Sequence, residues 1–172
     1  MIIKRATQIG NPIIRRKSKL VSVKDIVSPG TKKVARDLID SMRYLGLVGM
    51  AAPQIGINTR IFVSEVRKTE TRNPHKADGV RVFINPKIVK RSKKNALDYE
   101  GCGSVAHAGL FAQVPRAAQV TVQAFDLRGK KFTLKASGLL ARIVQHEIDH
   151  LDGIVFLDRV KNTKTLKARD EF

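Results

Sequence analysis

Two stretches of the chain carry apolar residues at the spacing of an amphipathic helix. The first is predicted to span about residues 31–45, because apolar positions recur every three or four residues before Gly46 ends the pattern. The second is predicted to run from an N-cap at Ser137 to about Leu151, and Gly153 lies where a helix C-terminal glycine is typical. The apolar positions of the first helix are Val34, Leu38, Met42 and Leu45.

Shorter runs between these helices predict β-strands. Arg60–Val66 and Val80–Asn85 are rich in β-branched and aromatic residues, and the polar, proline-containing segment Arg67–Gly79 between them predicts an exposed loop. Gln119–Asp126 and Lys131–Ala136 alternate in polarity around a short turn, which predicts a β-hairpin.

The length of the chain indicates one domain. A chain of 172 residues with 42% hydrophobic content can bury a single core, and no repeat or linker divides it. We therefore expect a single domain over residues 1–172, with a basic C-terminal tail from about residue 159. No run has the roughly 20 apolar residues of a membrane span, and the N-terminus lacks the pattern of a signal peptide, so we expect a cytoplasmic protein without membrane association.

The chain is strongly basic. Its net charge is +18, from 33 Lys and Arg against 15 Asp and Glu, and such an excess attracts polyanions over long distances. Three basic clusters, Lys4–Lys19, Lys87–Lys94 and Arg159–Arg169, could face nucleic acid or a ribonucleoprotein. They could equally form a solvated face, because no aromatic platform or nucleic-acid-binding motif accompanies them.

The second predicted helix contains an H-E-x-x-H sequence. His146 and His150 are four residues apart, so both imidazoles can reach one divalent metal while Glu147 flanks the same side. Leu139 and Ile143 precede His146 on the same face, which indicates a partly desolvated site. Asp149 could orient a ring nitrogen or pair with a surface base, and the sequence leaves both open.

A catalytic zinc-type site usually has three protein ligands, so one is missing from this helix. Phe156 stands where the extended protease signature would have a third histidine. Cys102, the single cysteine, excludes an internal disulfide and could be inert packing, a reactive thiol or a metal ligand. Its flanking residues Gly101 and Gly103 would let the backbone approach a metal and its substrate, which makes Cys102 the best candidate for the third ligand.

A third segment, Val48–Gly56, places small residues before a proline and a glutamine. With all three motifs in this order, the chain resembles the peptide deformylases, whose hallmarks are G-x-G-L-A-A-P-Q, E-G-C-L-S and Q-H-E-x-D-H. The resemblance extends from Gly10-Asn11-Pro12 to the segment Asp152–Phe156. The chain departs from the pattern at three positions, which are Leu47 for the first glycine, Met50 for the leucine of that motif, and Gly103 for the leucine after the cysteine.

The resemblance implies a role for each matched residue. The implied metal ligands are Cys102, His146 and His150. The implied catalytic groups are Glu147 as general acid and base, with Gln54 and the Gly103 N–H as donors to the oxyanion. Gly49 would lie against the peptide backbone. Leu139 and Ile143 are candidates for the pocket of the methionine side chain, and ordinary core packing explains them equally well.

The resemblance also implies the fold, the activity and the partners. The fold would be α+β, with mixed, largely antiparallel strands packed around the helix of His146 and His150. The activity would be removal of the formyl group from N-formylmethionyl nascent peptides, with release of formate. The cofactor would be one divalent metal ion per chain, Fe²⁺ by the resemblance, while ligand softness also permits Zn²⁺, Ni²⁺ or Co²⁺. The ribosome would be a transient partner of a monomeric enzyme.

Two other classes of function remain open at this point. A metallopeptidase could use the same metal and Glu147, and a non-catalytic basic binding protein could retain an inactive site. Around the site, the resemblance suggests a buried Glu100–Arg116 pair that fixes the Cys102 loop, although two unrelated surface charges would be simpler. We expect His75 in an exposed loop and His107 at the pocket rim.

Overall fold

The computed structural model describes residues 3–70, 73–74 and 76–172. Within these residues the chain forms two α-helices and two antiparallel β-sheets, which agrees with the predicted α+β class. His75 lies outside the described residues. In chain order the elements are α1 (Pro29–Tyr44), β1 (Gly49–Ala51), β2 (Ile61–Val66), β3 (Asp78–Arg91), β4 (Asn95–Gly101), β5 (Leu110–Ala117), β6 (Gln119–Phe125), β7 (Lys131–Ser137), α2 (Gly138–Leu151) and β8 (Lys167–Ala168).

The larger sheet has the strand order β1-β2-β3-β6-β7, and the smaller sheet has the order β4-β5-β8. The predicted hairpin is confirmed, because β6 and β7 pair from Gln119 opposite Ser137 to Phe125 opposite Lys131. β3 is longer than predicted and is interrupted near Asn85, which has a φ of 52°. The Asn85 carboxamide accepts from Val21 N at 2.9 Å and donates to Val21 O at 2.8 Å, which offsets that backbone conformation.

Both predicted helices are confirmed to within about two residues. α1 begins after Ser28, whose Oγ accepts from the Thr31 N–H at 3.2 Å, and it ends before Gly46 with a φ of 67°. α2 follows Ser137 as its N-cap residue and is buried along most of its length. Its apolar side packs on the larger sheet, where Val144 and Ile148 share a core with Phe62 and Phe83. Neither of these helices is long and apolar enough to cross a membrane, as far as the described residues show.

The basic C-terminal segment folds back onto the smaller sheet. In β8, Lys167 pairs with Phe111 and Ala168 with Leu110 of β5. The Phe172 ring stacks on the Phe111 ring with a centroid distance of 4.2 Å. The segment after residue 159 is therefore anchored at its end, and its lysines lie on the surface beside β5.

Candidate metal centre and active site

The candidate metal ligands are far apart in sequence, because β5, β6 and β7 lie between Cys102 and α2. The fold nevertheless brings their donor atoms together. His146 and His150 lie one turn apart on α2, with ring centroids 5.0 Å apart. Cys102 directly follows β4, and its Sγ lies 3.1 Å from Nε2 of His150. The three donor atoms lie within 4.8 Å of one another. This spacing and the thiolate–imidazole donor set fit one tetrahedral divalent ion, whose bonds to S and N are about 2.0–2.3 Å long.

A buried carboxylate orients one of the imidazoles. Glu100 Oε2 lies 2.9 Å from Nδ1 of His146, so this nitrogen donates to the carboxylate and Nε2 is left to face the other ligands. Glu100 also accepts two hydrogen bonds of 2.9 Å from Arg116 and one of 2.7 Å from Arg142. Burial opposes the charge of Glu100, but the hydrogen bonds from Arg116 and His146 hold its pKa well below the usual range.

The Glu100–Arg116 pair suggested by the resemblance is present and is buried, and it belongs to a larger network. Arg116 also pairs with Asp149, whose other partner is Arg159 at 2.8 Å. The carboxylate of Asp149 therefore contacts guanidinium groups, and none of its hydrogen bonds in the described part of the chain goes to a ring nitrogen. Burial opposes its ionisation, but Arg159 and Arg116 lower the pKa of Asp149.

Sequence reasoning missed two members of this network, Arg142 and Arg159. Arg142 lies four residues before His146 on α2, and an arginine on the buried face of a helix signals a partner carboxylate. That signal was available in the sequence. Arg159 gave no comparable signal, because it stands in a basic run and is exposed like the other basic residues of that run.

The Cys102 thiol lies in surroundings that favour its anion. Burial alone would raise its pKa, but the charge of His150 and the hydrogen bond from His146 outweigh burial and lower the pKa to about 5. The Ser104 N–H lies 3.4 Å from Sγ, and Nε2 of Gln54 lies 3.7 Å from it. A thiolate held by such donors is the form of cysteine that binds a metal.

Glu147 points into the same site without a partner for one oxygen. Its side chain is 3% exposed, and Oε2 has no hydrogen-bond partner among the described residues. Burial raises the pKa of Glu147 to about 7, which suits a group that takes up and returns a proton near neutral pH. Gly49 packs directly on it: a Cβ on this glycine would lie 2.8 Å from Ile143 Cγ2 and still closer to Glu147 Oε1.

Two N–H donors lie beside Cys102. The Gln54 carboxamide is fixed because its Oε1 accepts from the Ala51 N–H at 2.8 Å, which directs Nε2 toward Ser104 and Cys102. The Gly103 N–H has no acceptor within residues 3–70, 73–74 and 76–172. These donors could stabilise an oxyanion that forms close to the metal ligands.

Most of these groups line a single cavity. Its walls include Gly49, Leu139 and Ile143 together with Gln54, Cys102, Gly103, His146 and Glu147. His150 lies behind Cys102 and is 1% exposed. His107, expected at the rim, is an exposed residue with a φ of 53° and does not line this cavity.

A Cys-His-His cluster that can hold a metal ion, a buried carboxylate and two N–H donors around one cavity are the groups that a metal-dependent hydrolase of acyl substrates requires. A comparison with known protein families finds that the polypeptide deformylase profile matches residues 3–166. The chain belongs to the peptide deformylase family.

Curated relatives and solved structures agree with this assignment. The peptide deformylase of Dictyoglomus thermophilum is 39% identical over 170 residues, which cover 99% of this chain and 100% of that protein. The Met-Ala-Ser-bound structure of the class I type b peptide deformylase from Acinetobacter baumannii superposes with a TM-score of 0.87 at 32% identity, covering 92% of this chain and all of that one. The enzyme from Thermotoga maritima has a TM-score of 0.83 at 30% identity, covering 94% of this chain and 100% of the other.

Proposed function

We propose that Cys102, His146 and His150 bind one divalent metal ion, and that α2 is the central metal-binding element of a single catalytic domain over residues 1–172. The chain removes the N-terminal formyl group from N-formylmethionyl peptides of newly made proteins, which is the activity of its family, and formate is released. The proposal for the site rests mainly on one observation, the convergence of the three donor atoms within 4.8 Å beside Glu147.

When bound, the ion supplies Lewis acidity and lowers the pKa of water toward neutrality. Glu147 accepts a proton from the attacking water at its unpartnered Oε2 and later returns it to the departing amine nitrogen. Gln54 Nε2 and the Gly103 N–H donate to the formyl oxygen as it gains negative charge. Each such donor is typically worth about 3–4 kcal/mol in the transition state.

The substrate enters along the wall of the same cavity. Gly49 allows the peptide backbone to approach Glu147, because a side chain at this position would collide with that carboxylate. Leu139 and Ile143 line the cavity from α2 and form part of the pocket for the methionine side chain. The Acinetobacter baumannii enzyme was crystallised with Met-Ala-Ser, a peptide with the sequence of a deformylated product, which supports the same substrate class here.

We propose Fe²⁺ as the native ion, as the family resemblance implies. The mixed thiolate and imidazole ligand set also accepts Zn²⁺, Ni²⁺ and Co²⁺, and geometry and metal availability decide among such ions. Elemental analysis after anaerobic purification tests this choice. Iron at about one ion per chain is the expected result, and another metal at that level would replace Fe²⁺ in the proposal.

The decisive experiment is an anaerobic formate-release assay on formyl-Met-Ala-Ser, with unformylated Met-Ala-Ser as the second substrate. The wild-type chain should release formate from the first and leave the second intact. Glu147→Gln should lower kcat by at least about 10²–10⁴-fold and retain the metal. Glu171→Gln, the same change at an exposed position, should retain full activity.

The other two functional classes predict different results in this assay. A metallopeptidase would cleave Met-Ala-Ser and liberate methionine. A non-catalytic binding protein would release no formate, whether as the wild-type chain or as either variant. Either result would overturn the proposed role of the site.

We further propose that the enzyme acts in the cytoplasm as a monomer and docks transiently on the ribosome, where formylated nascent peptides emerge. The support is the net charge of +18 and the exposed lysines of the C-terminal segment. Arg159 is also exposed, but it pairs with Asp149, so a change of Arg159 would alter the buried network as well as the surface charge.

A further inference from the structure

Two of the three departures from the family pattern meet in space. Leu47 stands where the first motif of the family has a glycine, and Gly103 stands where the second motif has a leucine. A Cβ on Gly103 would lie 2.9 Å from Leu47 Cδ1 and 3.9 Å from Leu47 Cδ2. The leucine side chain on one loop therefore covers the bare backbone of the other loop.

Both loops are held in place by hydrogen bonds. The Leu47 N–H donates to Met42 O at 2.9 Å at the end of α1, and Leu47 O accepts from Arg67 Nη2 at 3.0 Å. Gly103 O accepts from Gln8 Nε2 at 2.8 Å. Because the backbone is anchored on both sides, a larger residue at position 103 has to be accommodated by movement of the Leu47 side chain.

Leu47 also lies at the boundary between two cavities. It lines the cavity of Glu147 and Cys102, and it lines a neighbouring groove of about 390 Å³. Val48 and Gly101 are shared by the two in the same way. The two cavities therefore meet at Leu47, and a peptide that continued from the first into the second would carry the side chain after methionine past Leu47.

We infer that Leu47 and Gly103 are a reciprocal exchange, in which one leucine side chain fills the same space from the opposite loop, and that Leu47 determines the preference for the residue after methionine. Leu47 acts by its shape and takes no part in proton transfer. The inference rests on the proposed function, because it concerns how the same cavity receives its peptide.

The exchange predicts strong coupling between the two positions. Leu47→Gly leaves the wall of the cavity open, and Gly103→Leu places two leucines in the space of one. Each single variant should lower kcat/KM for formyl-Met-Ala-Ser at least tenfold, mainly through KM, since the Gly103 N–H is retained. The double variant Leu47→Gly/Gly103→Leu should recover to within about threefold of wild type, although independent losses would multiply to a hundredfold or more.

Substrate preference supplies a readout that a purely structural contact would not change. The ratio of kcat/KM for formyl-Met-Ala-Ser over formyl-Met-Phe-Ser should fall in Leu47→Gly, because the opened wall admits a large side chain. It should return toward the wild-type ratio in the double variant. An unchanged ratio in Leu47→Gly would refute the specificity role.

A double-mutant cycle with smaller substitutions tests the same contact if Gly103→Leu does not fold. Leu47→Ala and Gly103→Ala change the same contact by fewer atoms, and the melting temperature of the double variant should exceed the value expected from adding the two single shifts. The inference would be overturned if the melting-temperature shifts were additive and the losses of kcat/KM multiplied. The proposed function would be unaffected by that result as long as the wild-type chain released formate. If the wild-type chain released no formate, the proposed function itself would fail.

Discussion

Glu100 accepts hydrogen bonds from most of the charged groups behind the proposed metal ligands. It accepts hydrogen bonds from Arg116, Arg142 and His146 while only 3% exposed. Glu100→Ala would leave buried arginines without this partner, which typically costs about 3–5 kcal/mol. It would also release the ring of His146, and loss of such an orienting partner typically lowers metal affinity about 10–100-fold. Urea unfolding and metal competition measure the two effects.

The matched control is Glu70→Ala. Glu70 also pairs with an arginine, Arg169, but its side chain is 87% exposed. Its removal should cost less than about 1 kcal/mol, because water solvates both partners. Equal losses in the two variants would show that the buried network adds nothing beyond an ordinary surface pair.

Individual site residues differed in how far the sequence could predict them. The pair His146 and His150 could be predicted because one helix sets their spacing. Cys102 was one candidate among several readings of a lone cysteine until the family resemblance favoured it, since its approach to His150 depends on how β4 and α2 pack. The contact between Leu47 and Gly103 could not be predicted from either motif alone, because each appeared only as a local departure until the fold placed them together.

At the scale of elements, the end of α2 depends on a close approach of two backbone segments. Gly153 has a φ of 77°, and a Cβ there would lie 2.8 Å from the backbone carbonyl carbon of Arg15. Gly153→Ala should therefore destabilise the fold both by strain, about 1–2 kcal/mol, and by this collision. Thermal unfolding measures the total.

Gly56→Ala isolates the contribution of strain. Gly56 has nearly the same φ, 79°, and nothing lies within 4 Å of its added Cβ. Gly153→Ala should be the more destabilised of the two, and the difference between them measures the collision with Arg15. If the two variants unfold at the same temperature, the close approach of Arg15 to position 153 makes no contribution to the destabilisation of Gly153→Ala.

A second pair of elements is joined by charge. Glu65 on β2 binds Arg43 at the end of α1 through hydrogen bonds of 2.9 and 2.8 Å. The hydrogen bond from Arg43, against a smaller opposing effect of burial, lowers the pKa of Glu65. A lowered folded-state pKa means that this stabilisation is present above the unfolded pKa and is lost as the pH falls through the folded one.

Glu65→Gln should therefore reduce the free energy of unfolding at pH 7 by up to about 1 kcal/mol. The gap from wild type should close as the pH falls below the ordinary glutamate range, because the wild-type carboxylate is then protonated as well. Urea unfolding of both proteins at pH 7, 5 and 3 measures this difference in the free energy of unfolding. A gap that persists unchanged to pH 3 would point to packing and not to charge.

The strands show why some elements were predicted and others were not. β6 and β7 alternate in polarity because one face packs on α2, so the pattern was visible in the sequence. β4 is exposed over its first four residues and shows no alternation, and β5 contains Pro115, which normally argues against a strand interior. The smaller sheet therefore forms from long-range pairing that local pattern does not encode.

At the scale of the whole molecule, the excess of positive charge should produce salt-dependent binding to polyanions. Within the described part of the chain, Lys161, Lys164 and Lys167 are exposed and make no ion pair with a carboxylate, unlike Arg159 and Arg169. Lys167 Nζ lies over the Tyr99 ring, 5.4 Å from its centroid. These lysines can be changed without disturbing Asp149 behind the proposed metal ligands. This separates the surface charge from the catalytic site in an experiment.

The triple variant Lys161→Gln/Lys164→Gln/Lys167→Gln should weaken co-sedimentation with ribosomes at low salt. If all three lysines contact phosphates, the slope of log K against log salt concentration should fall by about 2–3. The control is Lys90→Gln/Lys93→Gln/Lys94→Gln, which removes the same charge from exposed positions at and after the end of β3. A loss confined to the first variant places the docking surface beside β8. Equal losses would mean that only net charge matters. No loss in either variant would remove the ribosome from the proposal. Formate release from a free peptide should be the same for the wild type and both triple variants.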